Sequence, residues 1–202
     1  MNEQEQFWAR EYGTTYREKN AVFDQSAGVE AWRTMLARAG SIASFLECGS
    51  NIGRNIGMLA TVLPNARASV IEVNGEAFET VSRTYPLEHA FNGTIADSHL
   101  PERAFDLVFT CGVLIHVHPD HLMQTMQRMF DYSRRYVLIA EYFNRTPIMI
   151  EYQGQRDRLF KRDFGRYFLE HFAVRVVDYG FLWGHVYDGA GFDDITWWLF
   201  EK

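Results

Sequence analysis

The sequence predicts an α/β fold on one seven-stranded, mostly parallel sheet whose last strand runs antiparallel, with an N-terminal helical lid segment. Three observations carry this expectation. Short apolar runs rich in β-branched and aromatic residues alternate with longer segments whose apolar residues return every three or four positions. A glycine-spaced turn joins the first run to the first helical segment. The last two runs are separated only by a Gly/Asp-rich stretch (Gly184, Asp188, Gly189, Gly191) without helical spacing. Parallel neighbours need a crossover, so this final pair is expected to form an antiparallel hairpin.

In chain order, strands are expected at Ala43 to Cys48, Ala68 to Val73, His89 to Thr94, Phe105 to Cys111, Tyr136 to Tyr142, Val174 to Phe181 and Ile195 to Glu201. Helical spacing falls at Ile52 to Leu63, Glu76 to Tyr85, His121 to Ser133 and Asp163 to His171. The first two thirds therefore read as a parallel sheet with helices on both faces. No repeat, low-complexity tract or linker divides the chain, so one domain is expected. Residues 1–40 would form the N-terminal helical lid, 41–142 the cofactor-binding core, and 143–202 an acceptor-side segment with the final hairpin.

Composition narrows the classes of function. The 202 residues are 47% hydrophobic and 23% charged, a balance that supports a buried core. Twenty Lys plus Arg against 26 Asp plus Glu give a net charge of −6, which argues against nucleic acid as the main partner. The start, MNEQEQFWAREYG, has neither the basic nor the apolar part of a secretory signal, and no run approaches a membrane span. A cytoplasmic location is expected, with Cys48 and Cys111 as buried reduced thiols rather than a bridge.

The most informative stretch is Glu47-Cys48-Gly49-Ser50-Asn51-Ile52-Gly53, where a strand enters a helix through glycines four positions apart. Glycine lets backbone approach a ligand closely, and a helix start turns N–H groups toward it. Nineteen residues after Gly53, the second strand ends in Ile71-Glu72-Val73, and an acid at Glu72 suits both hydroxyls of a ribose. Asn51 occupies the central glycine position of GxGxxG, which disfavours a pyrophosphate and suits a nucleoside without phosphate.

These residues resemble the ExGxxxG first motif of class I S-adenosylmethionine-dependent methyltransferases, a Rossmann-like fold. Glu72 is similar to the ribose acid of that family, and Ala96-Asp97 to the pair beside adenine. Phe105 to Val117 resembles its fourth-strand motif, with Cys111-Gly112 at the methyl-bearing end of the donor. The flanks Phe7-Trp8, Tyr12-Gly13, Tyr16, Arg17 to Asn20, Arg158 to Phe164 and Asp193 to Trp198 look like the small methylases associated with pseudaminic acid biosynthesis. A looser likeness is to the phosphonate O-methyltransferase of dehydrophos biosynthesis. The resemblance implies S-adenosyl-L-methionine as cofactor, held by Glu47, Gly49, Ser50, Asn51, Gly53, Glu72, Val73, Ala96, Asp97, Cys111 and Gly112, with Tyr16 and Asn20 closing over it.

The acceptor side rests on charge. From Arg145 to Arg166, six basic residues face three acidic ones within an acidic protein. This patch invites a small anionic acceptor, such as an acidic sugar, its nucleotide-linked form or a phosphonate. Arg145 and Lys161 are the candidate anchors, with Tyr12, Tyr142 and Tyr152 as hydrogen-bonding walls. His116, just past the fourth strand, is the candidate general base for a hydroxyl, whereas an anionic oxygen needs none. Whether the protein is a monomer or a homodimer stays open.

A rival reading lies in the same loop. His116-Val117-His118-Pro119-Asp120-His121 spells HxHxDH, a metal-binding signature of hydrolases. The preceding βα alternation argues against that fold, and Pro119-Asp120 also suits a helix start. No metal is expected.

Overall fold

The computed structural model describes residues 8–9, 25–152 and 155–202, with side chains except those at 152, 155–158 and 188. The main elements are α1 (Gln25–Leu36), β1 (Ser44–Cys48), α2 (Arg54–Val62), β2 (Arg67–Glu72), α3 (Gly75–Thr84), β3 (Leu87–Asn92) and β4 (Phe105–Cys111). A 3-10 turn (Leu114–His116) leads to α4 (Pro119–Tyr132) and β5 (Ser133–Glu141). Then come β6 (Ile148–Tyr152), β7 (Gln155–Lys161), α5 (Phe164–His171), β8 (Arg175–Leu182), α6 (Gly184–Tyr187), a second 3-10 turn (Asp188–Ala190) and β9 (Ile195–Glu201).

Seven strands form one sheet in the order β3-β2-β1-β4-β5-β9-β8. The first five are parallel, and β9 runs antiparallel to both β5 and β8. Strands β1, β4 and β5 are buried along nearly their whole length, as expected of a sheet covered on both faces. Alternate residues of β5 feed two cores: Leu138 and Ala140 on one face, Val137 and Ile139 on the other. The first core is completed by Trp32 and Met35 of α1 and Leu59 of α2, the second by Met126 and Met129 of α4 and Phe164 and Phe168 of α5. No helix among the described residues is long and apolar enough to cross a membrane.

Several sequence expectations shift. Helix α4 begins at Pro119, two residues early, because His118 acts as N-cap, its ring accepting from the Asp120 N–H at 3.3 Å. The stretch between β8 and β9 is not free of helix. Ala190 and Phe192 are fully buried there, and the Asp194 carboxylate accepts from the Gly184 N–H at 2.9 Å, which folds the segment into short turns. Residues 25–36 of the expected lid segment are α1, a core layer in which the Trp32 ring stands 4.8 Å from that of Phe109. The antiparallel pair β6 and β7 was not anticipated; it is a separate two-stranded sheet packed against the 3-10 turn after β4.

Candidate active site

The strand order reverses between β1 and β4, and a cleft opens there at the carboxyl ends of the first four strands, the usual ligand crevice of such sheets. Its floor is the turn after β1. Gly49, Asn51 and Gly53 have φ of 83°, 48° and 84°, a left-handed path open to glycine and tolerated by Asn. A Cβ at Gly53 would lie 2.6 Å from the Tyr85 ring and 2.7 Å from Val81, so close helix packing also demands glycine there. The turn spends its N–H groups inside the protein. Gly49 and Ser50 donate to the Ile71 carbonyl at 2.7 and 3.3 Å, and Asn51 donates to Glu72 Oε2 at 2.7 Å. The expectation that this turn offers free N–H groups is corrected for these three residues.

Glu72 stands at the end of β2, 7% exposed, and lines the cleft with Val73. Its second oxygen accepts from the Asn74 N–H at 2.8 Å. Burial pushes its pKa up, opposed by the Asn74 and Asn51 N–H groups. Each carboxylate oxygen keeps a second acceptor site, so a diol can still be received. Beneath the turn, Glu47 is 1% exposed and outside the cleft lining. Asn55 Nδ2 donates to its Oε1 at 2.7 Å, and Trp32 Nε1 donates to the Asn55 oxygen at 3.4 Å. Burial raises the Glu47 pKa to about 8, so the acid is mostly neutral at pH 7.

The wall after β3 is Gly93 to Ala96. The Ala96 carbonyl is held by Gln124 and Arg128 of α4, each at 3.3 Å. Asp97 is exposed and accepts from the Thr94 hydroxyl at 2.9 Å; Thr94 rather than Asp97 lines the cleft. The far wall is Cys111-Gly112-Val113, with His116 beyond. Gly112 has φ 67°, and a Cβ there would meet nothing within 4 Å. Burial pushes the Cys111 thiol up to about 12, which leaves it protonated.

Sequence reasoning missed Asn74, Arg54 and Glu141. Asn74 caps α3 by accepting from the Ala77 N–H at 2.9 Å and donates to the Trp8 carbonyl at 3.2 Å. The Trp8 ring lies 4.2 Å from the His116 ring, so Trp8 touches both banks of the cleft. Arg54 lines the cleft and donates to the Gly191 carbonyl at 3.2 Å. Asn before Gly75 at a strand end is a legible cap signal; Glu141, at the end of an apolar strand, gave none. Its carboxylate accepts from the Val113 and Leu114 N–H groups at 3.1 and 3.0 Å.

Among the acceptor candidates, the Tyr142 hydroxyl donates to Asp193 Oδ2 at 3.1 Å, and the Lys161 ammonium stands 4.8 Å from the Tyr142 ring centroid. Arg145 is exposed on the link between β5 and β6. Tyr152 belongs to β6, but its side chain, like Tyr12, Tyr16 and Asn20, lies outside the described residues. The HxHxDH stretch is used structurally where it is described. His118 caps α4 and packs 5.7 Å from the Phe160 ring, while His116 faces Trp8. Among the described residues, no three His, Cys, Asp or Glu side chains converge as metal ligands.

Residues 46–132 match the family described as a methyltransferase domain. No curated protein matches the chain. Of the solved structures, magnesium protoporphyrin IX methyltransferase from Synechocystis, determined with bound SAM, has 10% identity and a TM-score of 0.71, over 100% of this chain and 98% of that one. A SAM-dependent methyltransferase from Leishmania major has 18% identity and a TM-score of 0.70, over 88% and 72%. A Burkholderia thailandensis 1,6-didemethyltoxoflavin N1-methyltransferase, bound to S-adenosylhomocysteine, has 18% identity and a TM-score of 0.66, over 89% and 79%. Identities this low speak for the fold alone. The chain therefore has the class I methyltransferase fold, and its residues 46–132, which include most of the cleft, match a methyltransferase domain.

Proposed function

We propose that the protein transfers a methyl group from S-adenosylmethionine to an oxygen of a small anionic metabolite, with an acidic sugar or its nucleotide-linked form as the first class of acceptor. The residues of the cleft fit the donor. A Cβ at Gly112 would project into open space, so glycine there leaves room that a ligand can fill. Asn51, which lines the cleft, has a buried Oδ1 without a hydrogen-bond partner among the described residues, an acceptor that an α-ammonium group satisfies.

In this reading Glu72 and Val73 hold the ribose, Thr94 and Ala96 flank the adenine with Asp97 fixing the Thr94 hydroxyl, and the turn from Gly49 through Ser50 and Asn51 to Gly53, backed by Glu47 beneath it, receives the amino-acid tail. Cys111 and Gly112 border the methyl-bearing end. When bound, the donor supplies a sulfonium-activated methyl group, so the protein must mainly align a nucleophile and exclude water. Trp8, spanning from Asn74 to His116, suits the second task. Tyr12, Tyr16 and Asn20, outside the described residues, are proposed to add to it.

The acceptor class rests on one observation: the Lys161 ammonium lies over the Tyr142 ring and has no carboxylate partner among the described residues. A cation held beside an aromatic face, at the end of a hairpin packed on the His116 turn, suits an incoming carboxylate or phosphonate. Arg145 and Tyr152 are proposed to widen the same wall. His116 acts as general base where the methylated oxygen is a hydroxyl; a carboxylate or phosphonate oxygen attacks unaided.

The test is transfer of labelled methyl from S-adenosylmethionine to a panel of acidic sugars, nucleotide-linked acidic sugars, phosphonates and matched neutral alcohols and amines. Turnover confined to the anionic acceptors supports the reading. Turnover confined to neutral or amine acceptors overturns it.

A further inference from the structure

The backbone donors from Gly112 to Val117 all find partners, and three of them share a buried acid in the neighbouring strand. The ladder between β4 and β5 ends where the Gly112 N–H donates to the Ala140 carbonyl at 2.9 Å. The 3-10 turn supplies its own acceptors only from His116 onward, whose N–H reaches the Val113 carbonyl at 2.9 Å, followed by Val117 to Leu114 at 3.1 Å. Three successive donors, those of Val113, Leu114 and Ile115, fall between. Buried donors of this kind must find a partner. All three find the Glu141 carboxylate, at 3.1 and 3.0 Å to Oε1 and 3.4 Å to Oε2. Glu141 itself is fully buried.

We propose that Glu141 is a positioning residue for methyl transfer: its carboxylate extends the sheet's ladder past its end and fixes the Gly112-to-His116 segment against the cleft. The proposal rests on the reading of that cleft as the donor site. An aliphatic side chain would satisfy none of the three donors. A protonated acid turns one oxygen into a donor and so loses acceptor capacity toward them. The position is thus sensitive to charge as well as to shape.

Burial places the Glu141 pKa at about 7, with the Leu114 and Val113 N–H groups opposing the rise. The ionisable groups around it are Cys111 on β4, protonated throughout, and His116 on the turn itself. Beside the next residue, Tyr142, stand Lys161 on β7 and Asp193 before β9. Above neutrality the ionised acid grips three donors; below it the turn loosens and His116 with Gly112 loses its register.

Two readouts test this, one without turnover. In amide NMR of the wild type, the Val113, Leu114 and Ile115 signals should titrate together near pH 7, and the titration should vanish in Glu141→Gln. In the rate assay, Glu141→Gln should lower kcat about tenfold or more with the KM for donor within about twofold, because orientation rather than binding is lost. The limb near pH 7 should persist in His116→Ala and disappear in Glu141→Gln, while Glu141→Asp restores part of the rate. Amides that do not titrate overturn the anchor. Titrating amides with an unchanged kcat in Glu141→Gln overturn its part in transfer. Titrating amides in a protein that methylates no acceptor leave the anchor standing and refute the functional reading instead.

Discussion

The Glu72 carboxylate and the Asn51 backbone N–H, 2.7 Å apart, tie the end of β2 to the glycine turn after β1. One buried acid therefore does two things. It holds the floor of the cleft in its left-handed path and presents its remaining acceptor sites to whatever enters.

Glu72→Ala should weaken S-adenosylhomocysteine binding by about tenfold or more, since hydrogen bonds to a charged acceptor are worth roughly 1.5–3 kcal/mol each. Melting temperature should fall as well, because the Asn51 and Asn74 N–H groups lose their partner. Affinity measured by calorimetry, with melting followed in parallel, checks both. Unchanged donor affinity would remove Glu72 from the ribose role.

Two glycines should part company. Gly53→Ala puts a Cβ into Tyr85 and Val81 at φ 84°, and should cost about 1–3 kcal/mol of stability. Gly112→Ala meets no neighbour, so its stability loss should be smaller while donor affinity drops. Denaturant unfolding and ligand titration of both variants separate the effects; equal behaviour of the pair would contradict the placement of the cleft.

Glu47 predicts a stability trend with pH. Its folded pKa, about 8, lies above its ordinary 4.5, so the native state binds the proton more tightly than the unfolded chain. Its contribution is fully present below about pH 4.5 and is lost as pH rises toward 8. Glu47→Gln keeps the oxygen that faces Asn55 and carries no proton to lose. Its melting temperature should match the wild type near pH 5 and exceed it progressively toward pH 8, by up to about 4 kcal/mol in unfolding free energy. A constant difference across that range would refute the buried, protonated acid.

On the acceptor side, Lys161→Met should raise the KM for an anionic acceptor about tenfold and leave donor affinity within about twofold, the mark of a lost ground-state contact. Steady-state kinetics with each substrate varied in turn decides it. An effect on the donor alone would move Lys161 out of the acceptor wall.

Much of this was legible in the residues because the informative patterns were local. The runs of β4 and β9 are bounded by sharp changes in polarity, and the expected spans coincide with those observed. The first strand was read one residue long, and the third came out two residues early because Pro86 and Gly93 bound it. The β6 and β7 pair lies within the basic run from Arg145 to Arg166, where the apolar stretch Ile148-Met149-Ile150 is too short to mark a strand by itself. Helix α1 was read as part of a lid, since its amphipathic spacing does not say which partner it covers.

The candidate site divides the same way. Gly49, Glu72 and Gly112 were visible because each sits at a strand end with an unusual residue type. Glu141 was not, because its worth lies in three N–H groups about 27 residues earlier in the chain, a relationship created only when β4 and β5 align. Nor could the sequence show that Asp97 leaves the cleft lining to Thr94, a choice made by one side-chain hydrogen bond.

Calorimetric titration of the purified protein with S-adenosylhomocysteine reaches the core of the account most directly. One binding site per chain is expected, lost or strongly weakened in Glu72→Ala. Saturating amounts of that nucleoside producing no heat and no thermal stabilisation in the intact protein would contradict it.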